Sequence, residues 1–138
     1  MTVIVCVDDK MGVLFNCRRQ SKDNILRERI LKLSKNKVLW MSPYSHRQFE
    51  NNDNSNICVA DNFMIAADDD SFCFSEGTAL SPCLEKIDRI ILYKWNRVYP
   101  SDETFDVDLS KWSLESTFEF KGSSHDKITE EVYVKNVG

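Results

Sequence analysis

The chain has 138 residues and a mass of 16.0 kDa, 42% hydrophobic and 29% charged, the size and balance of one soluble domain spanning residues 1–138. Its net charge of −4 gives no overall attraction to nucleic acid or to an anionic membrane surface. No apolar run approaches the roughly 20 residues of a membrane helix, and five cysteines without a C-x-x-C pair point to a reducing cytoplasm.

Thr2 to Val7 is a continuous apolar, β-branched run, the pattern of a strand buried on both faces. It lacks a basic flank and turns acidic at Asp8-Asp9, which reads as a strand start rather than a signal peptide. Gly12 marks a turn in the loop that follows. Ser21 to Ser34 predicts an amphipathic helix, with Leu26, Ile30 and Leu33 at helical spacing and Ser21 or Asp23 as its cap. Lys37 to Met41 predicts a short strand stopped by Ser42-Pro43, then a short helix through His46 to Phe49. Asn51 to Asn56 is a polar loop tip. Ile57–Ala60 and Ser71–Phe74 predict two more strands, with Asp68-Asp69-Asp70 as the turn before the second. A short helix over Leu80–Lys86 precedes the strongest strand, Ile87 to Trp95. Segments around Ser116–Phe120 and Glu130–Val134 alternate and join near Gly122, the pattern of an antiparallel hairpin at a sheet edge.

This order of elements resembles dihydrofolate reductase. The residues that carry the likeness are Val3 to Val7 followed by Gly12, Leu84 to Leu92, then Asp102 and Phe105, then Asp108 to Trp112 and the closing hairpin. The resemblance implies a single-domain α/β fold. Its sheet would be mixed but mostly parallel, flanked by helices and ending in a C-terminal antiparallel hairpin. It also sets Asp23 about where that family keeps a pterin-binding carboxylate. The departures bear on cofactor binding. Cys17-Arg18-Arg19 replaces a usual tryptophan, and Ser42-Pro43-Tyr44-Ser45-His46 keeps only the hydroxyl of Ser45 from the usual turn. The Gly-Gly turn that lets backbone approach a cofactor diphosphate reads Ser75-Glu76, with Gly77 surviving. A side chain there takes the space and its carboxylate repels a phosphate, which disfavours NADPH.

The chain also resembles a family of short uncharacterised bacterial proteins that share the stretches seen here as Arg18–Ser21, Trp95–Pro100 and Gly122–Thr129. Such proteins often carry the label ribonuclease Z. That enzyme's zinc cluster needs many histidines, and this chain has two, His46 and His125, so the label does not fit. There is no zinc spacing, Walker loop, EF-hand or Ser-His-Asp order in the sequence.

Several residues admit two readings. Arg18 and Arg19, beside a helix amino terminus, could bind an anion or be solvated charges. Asp23 could orient a nitrogenous ring or simply cap the helix. Ser42, Tyr44, Ser45 and His46 could hold a phosphate or cap their own turn. Trp95 and Arg97 could stack on a planar ligand or plug the sheet end. Gly122-Ser123-Ser124-His125 is explained by turn chemistry alone.

Three functions follow. The first is a non-redox binding protein for a small anionic or nucleotide-like ligand, with no cofactor and no metal. Its pocket would lie at the carboxyl ends of the strands near Arg18, Arg19, Asp23, Tyr44, Ser45, Trp95 and Arg97. The second is a divergent NADPH-dependent reductase, with Asp23 as the candidate catalytic group and Ser42, Ser45, Ser75 and Gly77 at the cofactor. The third is an interaction module, in which an exposed Trp95–Pro100 edge docks a partner or a second copy as a homodimer. The residues alone leave open whether any reaction is catalysed.

Overall fold

The computed structural model describes residues 1–52 and 55–136. Asp53 and Asn54, part of the predicted loop tip, lie outside them. Ten strands are described: β1 Thr2–Val7, β2 Gly12–Phe15, β3 Arg18–Arg19, β4 Leu39–Met41, β5 Ile57–Val59, β6 Phe72–Ser75, β7 Arg89–Lys94, β8 Glu103–Thr104, β9 Trp112–Phe120 and β10 Ile128–Lys135. Three helices, α1 Asn24–Leu33, α2 Pro43–His46 and α3 Phe63–Ala66, are joined by 3-10 turns at Arg47–Phe49, Ser81–Lys86 and Leu109–Lys111.

Seven strands form one sheet in the order β5-β4-β6-β1-β7-β10-β9. The first five are mutually parallel, while β10 runs antiparallel to β7 and β9 antiparallel to β10. β1 sits at the centre because its apolar run serves both faces. Val3, Val5 and Val7 enter a core with Phe63, Met64, Leu80, Ile87, Ile90 and Leu92. Ile4 faces the other way, into a core with Leu26, Ile30, Phe49, Phe74, Ile91 and Tyr93. α1 covers this second face with Leu26 and Ile30, two of the three residues whose spacing predicted the helix.

The segment after β1 differs from the predicted loop. β2 and β3 pair antiparallel through Phe15↔Arg18, and the two residues between them, Asn16 and Cys17, both have positive φ (50° and 59°). That is the signature of a type I′ hairpin turn, whose twist matches the flanking strands. β8 pairs with the other edge of β2, completing a small three-stranded sheet above the strand ends. The helix predicted over Ser21–Ser34 begins only at Asn24, because Asp23 caps it in an extended conformation.

Candidate functional site

The carboxyl end of β6 leads into Glu76, and the side chain there is not an isolated charge. Arg19 donates from Nε and Nη2 to the two Glu76 carboxylate oxygens at 2.9 and 3.1 Å. Its guanidinium lies 4.3 Å from the centre of the Tyr44 ring and donates to the Tyr44 carbonyl, while its backbone N–H donates to the Tyr44 hydroxyl. A bidentate, stacked Arg of this kind is held in one orientation. Hairpin, β6 turn and α2 are thereby tied at one point. The carboxylate read from sequence as repelling a phosphate has its charge compensated internally.

Asp23 carries a second cluster. Its carboxylate accepts the backbone N–H groups of Ile25 and Leu26, as a helix cap does, and also those of Ser123 and Ser124 from the β9–β10 connection. Gly122 lets that connection close, since a Cβ there would stand 2.4 Å from Asp23 Oδ2. His125 Nδ1 completes the set at 3.0 Å. Burial alone would push the Asp23 carboxyl up. The Ser124 N–H, the His125 imidazole and the Ser123 and Leu26 N–H groups more than offset it and hold the acid well below the ordinary carboxylate range.

An ionised Asp23 only accepts, so Nδ1 of His125 carries its proton. In the neutral ring Nε2 is then an acceptor, and two hydroxyls face it: Tyr99 at 2.9 Å and Ser21 at 3.1 Å. The Trp95 ring stacks on the imidazole at 4.5 Å and 26°. Asp23, Trp95 and His125 are buried, whereas Ser21 and Tyr99 are partly exposed. Two expectations are corrected here. The sequence suggested no Ser-His-Asp set, yet the fold assembles Ser21, His125 and Asp23. Turn chemistry alone was expected to explain Gly122–His125, yet those residues clasp Asp23. No local signal could reveal this, because the partners lie about a hundred positions apart.

The predicted site residues separate. Arg18 is exposed and lines an open cavity of about 560 Å³ with Phe15, Asn16, Arg19, Gln20, Tyr99 and Pro100. Arg97 is exposed but does not line it. Trp95 is 3% exposed, so the edge expected to present it to a partner does not do so. Ser45 is buried, and Ser42 caps α2 by accepting its backbone N–H. The space between Ser21, Asp23, α1, β6 and Trp95 is closed to about 10 Å³, room for about one water at most.

The Ser75–Thr78 turn is internally bonded and borders a second cavity. A cavity of about 220 Å³ lies between Val5, Val13, Ser75, Gly77, Thr78 and Phe105, with Glu103 and Asp106 in its wall. The backbone N–H groups of Leu80 and Ser81, natural donors to a phosphate, already donate to Asp106 at 3.0–3.1 Å. Ser75 donates to the Thr78 carbonyl. Gly77 keeps its positive φ of 89°, but the open side a glycine leaves is taken by Leu14, whose Cδ1 would lie 2.0 Å from a Cβ there.

No family model and no curated protein sequence matches the chain. Among solved structures it is similar to dihydrofolate reductase from Enterococcus faecalis complexed with NADP(H) and RAB-propyl. The TM-score is 0.70 at 11% identity, over 99% of this chain and 96% of that one. At this identity the likeness shows the fold: a single α/β domain of the dihydrofolate-reductase-like kind, with a mostly parallel sheet and an antiparallel C-terminal pair.

Proposed function

We propose that this chain is a non-redox binding protein that uses the dihydrofolate-reductase-like scaffold to hold a small anionic or nucleotide-like ligand in the cavity between the β2–β3 hairpin and Tyr99-Pro100. The observation that carries the reading is the cross-strand pair Phe15↔Arg18. Opposed residues of an antiparallel ladder share a face, so an aromatic ring and a cation project together. Phe15 is 42% exposed, and both side chains line the cavity. A planar base could stack on Phe15 while Arg18 takes a phosphate. The divergent-reductase reading would need the diphosphate turn to shed Asp106, Leu14 and the Arg19–Glu76 pair.

Thermal-shift titrations with inorganic phosphate, pyrophosphate and nucleoside mono- and diphosphates test this. A binder at 100 times its dissociation constant stabilises by about 2.7 kcal/mol, several degrees in Tm. The expected result is stabilisation by at least one of these anions that weakens with salt and disappears in Arg18→Ala. Flat titrations throughout would refute it.

A further inference from the structure

We infer that Ser21, His125 and Asp23 form a nucleophilic relay competent for acyl transfer, a reaction that the anion-binding reading does not include. Each link has the geometry the chemistry needs. Ser21 Oγ lies 3.1 Å from His125 Nε2, and His125 Nδ1 lies 3.0 Å from Asp23 Oδ2. Asp23 is locked by four backbone N–H groups and is ionised, so it fixes the tautomer that leaves Nε2 free to take a proton. Trp95 holds the imidazole plane from one face. The base and its orienting acid are buried, while Ser21 is a partly exposed residue.

The step balances without a cofactor. Ser21 Oγ attacks the carbonyl carbon of an ester and its proton passes to Nε2. The carbon–oxygen bond to the alcohol breaks, and His125 returns the proton to the departing alkoxide, leaving an acyl-serine. Water then attacks that ester with His125 again as base. The acid is released and Ser21 regains its proton.

Tyr99 also donates to Nε2 and must yield its place as the serine proton arrives. Its ring and hydroxyl also link the relay to the Arg18 cavity, with Tyr99 Oη 3.5 Å from Ser21 Oγ. The substrate class is therefore an ester that carries a carboxylate or phosphate within reach of Arg18. That part rests on the proposed binding function.

The test treats the full chain with an alkyl fluorophosphonate and locates the adduct by peptide mass spectrometry. Attack forms a phosphorus–oxygen bond and expels fluoride, so the readout does not depend on the anion cavity. One adduct on Ser21 is expected, absent in Ser21→Ala and formed about 100-fold more slowly in His125→Gln. Ser21→Ala alters a partly exposed residue and decides the matter even if His125→Gln unfolds. No adduct, or one that persists in Ser21→Ala, overturns the proposal. The mono-4-nitrophenyl ester of succinate is then compared with 4-nitrophenyl acetate. A preference of about tenfold for the anionic ester, lost in Arg18→Ala, is expected from one recovered ion pair. Labelling of Ser21 with equal rates on both esters overturns the substrate class and leaves the nucleophile standing, while the anion-binding reading stands or falls with the thermal-shift titrations.

Discussion

Asp23 shows how much one residue can be asked to do. Its role as a helix cap is legible in sequence, since an acid stands just before an apolar periodic run. Its second set of partners, Ser123, Ser124 and His125, is not legible, because nothing near position 23 encodes a loop that returns from the far end of the chain. The same limit hid the compensation of Glu76 by Arg19, 57 positions away. The consequence for Asp23 is a pH dependence of definite sign. Its folded-state pKa lies well below the ordinary value of about 3.9, so the stabilisation it supplies is fully present above that pH. It is lost as the pH falls through the folded value. Asp23→Asn keeps one acceptor but turns a donor toward N–H groups, at a cost of about 3 kcal/mol near neutral pH. Urea denaturation should show that gap at pH 7 and a clearly narrower one at pH 2. A gap independent of pH would mean that the charge of Asp23 does not hold the clasp.

Among the elements, long periodic runs declare themselves in the sequence and short ones depend on context. β1, β7 and the β9–β10 pair appear where alternation or a continuous apolar run predicts them, and α1 appears less its first three residues and its last. The β2–β3 hairpin was missed because its turn residues, Asn16-Cys17, lack the usual glycine. α3 was missed too, at four residues and with no side-chain cap at its start. Its other end explains how so short a helix persists. Lys86 Nζ donates to the carbonyls of Met64, Ile65 and Ala67, closing the C-terminal turn with a cation where the helix dipole favours one. Lys86→Met preserves the aliphatic stem but strands those carbonyls, and should lower stability by about 1–2 kcal/mol. Chemical denaturation checks the value, and hydrogen exchange should quicken first at the amides of residues 65–67. An unchanged midpoint would assign the helix to its buried Phe63 and Met64 alone.

At the scale of the whole molecule, the fold alone does not fix the ligand chemistry. The sheet order and the overall superposition are those of a dihydrofolate-reductase-like domain, yet such a scaffold does not bring an activity with it. The distinction lies in what the strand ends present. An acid, Asp106, occupies the N–H donors of the Leu80–Ser81 turn, Leu14 covers Gly77, and the Arg19–Glu76–Tyr44 stack joins three segments across the remaining opening. On the proposed binding reading, each is a favourable internal contact that a dinucleotide would have to break. NADPH is therefore expected to leave Tm unchanged at concentrations where phosphates or nucleotides raise it. Glu76→Gly should not rescue binding, because Asp106 and Leu14 still fill the turn and Arg19 loses its partner. A rise of several degrees with NADPH in the unaltered chain would show that this closed arrangement opens at little cost. The reductase reading would then replace the binding one.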